Sequence, residues 1–138
     1  GVPEGDSGTI VGAVGRHPVD RKKYAVVSDA SGRHARTHWT LVERFGDYSL
    51  LRFKLDTGRT HQIRVHCAHI NHPVVGDPTY SRCRKLPVDL PGQALHAVQL
   101  GLDHPITGER LVFDAPLPPV MEKLLLVLRR RSGASSPV

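Results

Sequence analysis

Apolar and polar positions alternate most cleanly between Tyr48 and Leu55, where Leu51, Phe53 and Leu55 fall on one side and Arg52 and Lys54 on the other. That two-residue period is the mark of a half-buried strand. Two strand-like stretches precede it. Lys23 to Ser28 is short, with Tyr24, Val26 and Val27 as its apolar content, and His34 to Phe45 sets Ala35, Thr37, Trp39 and Leu41 on one face. Gly32 and Gly46-Asp47 fall between them as turn residues, so the pattern predicts an antiparallel meander with one face in the core and the other wet. From Thr60 to about Ile70 the period becomes helical: Ile63, Cys67 and Ile70 form one stripe, His61, Arg64 and Ala68 another, and Thr60 is placed to cap the first turn.

Asn71 to Gly92 reads as a loop rich in Pro, Arg and Lys, interrupted only by Val74-Val75. Leu95 to Leu102 alternates again, His104 to Gly108 turns, and Arg110 to Phe113 returns as the second arm of a hairpin. A closing helix over Pro116 to Arg131 is apolar at Val120, Leu124, Val127 and Leu128 and basic at its end, where cations suit the helix dipole. The turn-rich segment Gly1 to Gly8 predicts an opening loop, and residues 132–138 a disordered tail. The expectation is an α+β domain over residues 1–131, with a mostly antiparallel sheet and helices at about 60–70 and 117–131.

With 138 residues, one domain or a large part of one is expected. Lys and Arg number 19 against 13 acids, a formal charge of +6 with nine histidines besides. Such an excess suits polyanionic partners, nucleic acid first, and also fits a soluble basic protein with no such partner. The two cysteines, Cys67 and Cys83, and the absence of a secretory pattern point to a reducing, cytoplasmic setting. The longest apolar run, Leu124 to Leu128, is far below the roughly 18 residues of a membrane span, so no membrane partner is expected. Cys83 lies among cations that favour a thiolate, but no residue is spaced to use it in catalysis.

The densest chemistry lies in Thr57-Gly58-Arg59-Thr60-His61-Gln62-Ile63-Arg64-Val65-His66, followed by His72-Pro73-Val74-Val75-Gly76-Asp77-Pro78-Thr79-Tyr80. A strand ends, a helix begins, and an arginine fork converges with free helix N–H groups, which suits an anion. Arg64 lies one turn along the helix, outside the apolar stripe, where a guanidinium can hold a carboxylate and touch phosphate. The same residues also read as a helix cap beside a surface ion pair.

This segment strongly resembles the C-terminal signature of RluA-type RNA pseudouridine synthases, T-G-R-T-H-Q-I-R-V-H, a spacer, and H-P-V-x-G-D-x-x-Y. The resemblance extends to Arg16-His17-Pro18 and the lysines after it, to Ala94-Leu95-His96-Ala97, and to His104-Pro105-Ile106-Thr107-Gly108. Asn71 stands where glycine is frequent in the family. The resemblance implies part of the pseudouridine synthase fold, with a mixed, mostly antiparallel sheet, and no cofactor or metal. It also implies an RNA partner, ribosomal or transfer RNA. Such enzymes break the C1′–N1 bond of a uridine, turn the base over and rejoin it through C5, after the nucleotide has left any stack. Arg64 would correspond to the arginine that keeps a catalytic aspartate ionised. Arg59, Thr60, His61 and Gln62 would contact substrate together with Arg16, Lys22 and Lys23, while Gly58, Gly76, Asp77 and Tyr80 would shape the site.

The family places its essential aspartate in R-L-D-x-x-T-x-G, and no such string occurs here. Asp56, in Lys54-Leu55-Asp56-Thr57-Gly58, falls at a position the family does not reserve for the acid and reads as an exposed strand end near Arg59. Asp77 reads as a brace for its loop through backbone N–H groups. Tyr24 follows Arg16-His17-Pro18, whereas the family's active-site tyrosine precedes that element, so it reads as a strand residue. The expectation is therefore the C-terminal part of a catalytic domain, inactive without the aspartate segment, with an open sheet edge suited to the missing part or to self-association. Two rivals remain. His61, His66, His69 and His72 invite comparison with a metal site, but they lack a zinc-binding spacing. A non-catalytic RNA-binding fragment, or half of a split enzyme, is the alternative; Arg16, Arg21, Lys22, Lys23, Arg33, Arg36 and the Arg82-Arg84-Lys85 loop would then follow a phosphate backbone.

Overall fold

The computed structural model describes residues 1–82, 86 and 88–133. Cys83, the Arg84-Lys85 part of the basic loop and residues 134–138 of the expected tail lie outside the described residues. The elements run β1 (Ser7–Val11), β2 (Ala13–Arg16), β3 (Tyr24–Val27), β4 (Arg36–Phe45), β5 (Tyr48–Leu55), α1 (Gln62–His69), β6 (Gln99–Asp103), β7 (Arg110–Asp114) and α2 (Pro119–Arg131). The architecture is α+β, and every ladder among the described residues is antiparallel, so the mixed sheet does not appear here.

The β4–β5 hairpin turns at Gly46, whose φ of 67° is left-handed. Ala35, Thr37 and Trp39 are buried, as the alternation predicts, while Leu41 is only half-buried and Phe45 is the next buried residue of the strand. A register shift between Leu41 and Glu43 brings Tyr48 and Leu50 onto the core cluster, while Leu55, expected inward, is exposed. The predicted meander is not formed. The third strand on this hairpin is β1, in the order β1–β4–β5, while β3 pairs with β2 in a separate ribbon. Ser7 already lies in β1, inside the segment expected to be loop. Gly8 makes that pairing possible, because a Cβ there would come 2.6 Å from the Trp39 indole nitrogen. Gly32 does not turn a hairpin; it runs against β2 beside the Val14–Arg33 bridge.

Two apolar clusters hold these pieces. Phe45, Val88, Leu124, Leu125 and Leu128 join α2 to the end of the β4–β5 hairpin, and the Arg129 guanidinium donates to both carboxylate oxygens of Glu43 at 2.8 to 3.1 Å. Val14, Ala35 and Val65, with Tyr24, Val26 and Tyr80 against them, join α1 to β2 and β3. Among the described residues no helix is long and apolar enough to cross a membrane.

α1 differs from its predicted form in two ways. Its buried residues are Gln62, Val65, His66 and Cys67, while Ile63 and Ile70 are only half-buried. Its N-cap is His61 in left-handed conformation (φ 54°), with no side-chain cap, so Thr60 is not the cap. The helix ends with Asn71 at φ 64°, where the Asn71 N–H donates to the Ala68 carbonyl and the His72 N–H to the Cys67 carbonyl. This is the paired-bond terminator that needs a left-handed residue, which asparagine tolerates and glycine adopts freely.

Candidate functional site

Gln62 locks the strand-to-helix corner from within. Its Oε1 accepts from the Thr57 hydroxyl (2.8 Å) and the Arg59 N–H (2.9 Å), and its Nε2 donates to the Arg36 carbonyl and Thr37 Oγ1, both at 3.0 Å. All of its hydrogen-bonding capacity is spent on the corner itself. One step deeper, the wholly buried His66 donates from Nε2 to the Gly12 carbonyl (2.9 Å), and its Nδ1 lies 2.8 Å from Thr37 Oγ1. Thr37 accepts from Gln62 and donates to Nδ1, an assignment that requires a neutral imidazole. Burial lowers the His66 pKa in the same sense.

Gly58 needs neither a left-handed backbone nor a close approach. Gly76 needs both: its φ is 75°, and a Cβ would meet the Gly92 carbonyl oxygen at 2.6 Å. Asp56 is held by His38 Nε2 at 2.7 Å and Arg36 at 3.7 Å, rather than by Arg59. Arg59 instead donates from Nε to the His34 carbonyl at 2.9 Å.

Arg64 meets Asp77 edge-on, Nε to Oδ2 and Nη2 to Oδ1, both 2.8 Å. The arginine side chain is 12% exposed and the aspartate side chain 0%. Asp77 Oδ1 also accepts the Thr79 and Tyr80 N–H groups at 2.9 and 3.1 Å. Burial alone raises the Asp77 carboxyl, but the guanidinium and those two N–H groups outweigh it and hold the carboxyl below its usual value. The same bond raises the Arg64 pKa, so both partners are charged. Removing either one from such a pair costs about 3–5 kcal/mol. Among the described residues Arg64 Nη1 has no hydrogen-bond partner, which leaves it for a further acceptor.

Arg64 Cζ lies 5.1 Å over the Tyr80 ring. The Tyr80 hydroxyl accepts the Tyr24 N–H (3.1 Å) and lies 2.8 Å from His61 Nδ1, to which it donates when the imidazole is neutral. Burial first, and then the Arg64 charge, lowers the His61 pKa and favours that neutral form. The His61 ring packs edge-on against both Tyr24 and Tyr80, and Arg16 Cζ sits 4.9 Å over Tyr24. A continuous run of contacts thus leads from Asp77 through Arg64, Tyr80, His61 and Tyr24 to Arg16.

Beyond Arg16 lies an open polar groove of about 490 Å³, lined by Arg16, Tyr24, Arg33, Arg59 and Thr60 among others, with no acid in its lining. Lys22 and Lys23 stand on the neighbouring β2–β3 turn, Lys22 exposed and Lys23 half-buried. Tyr24, read from the sequence as a strand residue, opens β3 and also lines this groove. No group of three or more His, Cys, Asp or Glu among the described residues is arranged to hold a metal ion. Burial pushes the Cys67 thiol up to about 12, which makes it unreactive in the folded chain.

A family model described as RNA pseudouridylate synthase matches residues 2–69. An uncharacterised RNA pseudouridine synthase of Synechocystis sp. is 52% identical over 132 residues, which is 95% of this chain and 40% of that protein. The chain belongs to the RNA pseudouridine synthase family, in its RluA branch. Ribosomal large subunit pseudouridine synthase D of Pseudomonas aeruginosa is 48% identical over 89% of this chain and 41% of its own length. The solved structure of human RNA pseudouridylate synthase domain containing 1 superposes with a TM-score of 0.67 at 26% identity, over 94% of this chain and 62% of that one. The α+β fold is thus that of the pseudouridine synthases. The chain spans about 40% of the length of the curated relatives it matches.

Proposed function

We propose that this chain forms the arginine side of an RNA pseudouridine synthase active site, acting on a uridine of structured ribosomal or transfer RNA in a cytoplasmic setting. The aspartate comes from an R-L-D-x-x-T-x-G segment outside these residues. The observation that carries this reading is Arg64, fixed edge-on by buried Asp77 with Nη1 left over for a second carboxylate. A guanidinium held this way keeps a neighbouring carboxylate ionised without costing side-chain entropy during the reaction. The carboxylate acts as nucleophile or base while the C1′–N1 bond breaks and C1′–C5 forms; the C5 proton leaves to solvent and N1 takes up a proton in its place. Gln62 serves by holding the corner on which Arg59 and Thr60 meet RNA, and Arg16, Lys22 and Lys23 extend that face.

The β6–β7 hairpin supports the same reading. Leu100 and Phe113, paired across it on one face, are more than half exposed, an apolar surface suited to the rest of the domain or to a second copy. The absence of the aspartate motif favours a second reading, a chain that binds RNA without acting on it. The two part in one experiment. In a protein completed with the aspartate segment, Arg64→Ala is expected to lower turnover by two orders of magnitude or more while RNA affinity changes by less than about threefold. Unchanged turnover with weakened binding overturns the assignment.

A further inference from the structure

Among the described residues Tyr24 is the one aromatic ring lining the arginine groove, and its surroundings fix it there. Its ring packs against the Val14, Ala35 and Val65 cluster, its N–H is held by Tyr80, and its edge meets His61. Arg16 lies flat enough over it to bring Cζ within 4.9 Å of the ring centre, steadied by an Nη1 bond of 3.0 Å to the Arg21 carbonyl. Gly15 and Gly32 face each other so closely that a Cβ on Gly15 would come 2.7 Å from the Ser31 carbonyl oxygen, and one on Gly32 2.8 Å from the Val14 carbonyl oxygen. At the far wall the exposed Arg33 side chain has no hydrogen bond or ion pair among the described residues, and Arg59 commits only Nε to protein.

We propose that this groove holds one unpaired RNA nucleotide beside the reacting uridine, its base laid on the stacked Arg16–Tyr24 pair and its phosphate on Arg33 and Arg59. The inference rests on the family reading for the choice of RNA and adds a subsite to it. A stacked guanidinium and ring offer a flat face that any base can use, while two uncommitted arginine forks supply phosphate contacts. A volume of about 490 Å³ falls within the range of pockets that take small ligands. An acidic peptide would use the arginines but gain nothing from the platform, so stacking is the property to test.

The test is fluorescence anisotropy of the chain with a short labelled single-stranded oligouridylate across a salt series. Tyr24→Leu, which keeps apolar packing and removes the ring face, is expected to weaken binding about 5- to 100-fold with the salt slope unchanged. Tyr24→Phe restores affinity, since the Tyr24 hydroxyl has no hydrogen bond among the described residues. Arg33→Gln, at an exposed position where folding is not at stake, is expected to weaken binding and flatten the slope of log affinity against log salt by about 0.7. Wild-type affinity in Tyr24→Leu, an unchanged slope in Arg33→Gln, or equal binding of a polyglutamate peptide overturns the proposal. Loss of isomerisation with these effects intact would count against the family activity alone.

Discussion

Gln62 concentrates the physical content of the corner in one side chain. It accepts twice, donates twice and is buried, so removing its amide leaves the Thr57 hydroxyl and the Arg59 N–H without their acceptor and takes one donor each from the Arg36 carbonyl and Thr37, which keep the Asp56 N–H and His66. Each stranded buried group costs about 1–3 kcal/mol. Gln62→Leu is therefore expected to lower the unfolding free energy by about 2–4 kcal/mol in urea denaturation; a loss below about 0.5 kcal/mol would mean that the clamp is not formed. The sequence shows Gln62 only as a polar residue between His61 and Ile63, equally suited to a surface contact. Hydrophobic periodicity cannot see a residue that is buried because its hydrogen bonds are met. The same blindness hid Asp77 as the partner of Arg64, since nothing in a spacing of thirteen residues says which carboxylate reaches a guanidinium.

At the scale of elements, β4, β5 and α2 were legible because their apolar alternation or stripe is what buries them. β1 and β2 were not, because Ser7-Gly8-Thr9-Ile10-Val11-Gly12 is light in apolar side chains and its strand rests on backbone pairing and the fit of Gly8 to Trp39. With those two missing, β3 was given the wrong neighbour. The stripe of α1 was misread for a related reason: His66 turns inward to join α1 to β4 through Thr37 and to the β1–β2 junction through Gly12. That joint has a pH dependence with a definite sign. His61, His66 and His72 all have folded pKa values below the ordinary 6.5, so the unfolded chain binds more protons as pH falls below that value. Their contribution to stability is complete above about pH 6.5 and is lost as pH falls through the folded values. The melting temperature is expected to decline from pH 7.5 to 5 and to decline less steeply in His66→Gln. A flat profile in the wild-type chain would show that these histidines are not held neutral.

At the scale of the molecule, the proposed function divides into a cationic and an acidic half. The cationic half is built: Arg64 braced by Asp77, a run of edge-packed rings, and a groove with three arginines. The family was legible because its signature is local and contiguous, while the meeting of Arg16, Tyr24, Arg33 and Arg59 in one groove depends on pairings between distant strands that no local pattern encodes. The acidic half has no motif in these 138 residues. The most direct test is tritium release from RNA carrying C5-tritiated uridine, measured for the chain alone and for the chain joined to an R-L-D-x-x-T-x-G segment. Release only with the segment present, and lost again when its aspartate is changed to asparagine, is the predicted result; release by the 138-residue chain alone would contradict it.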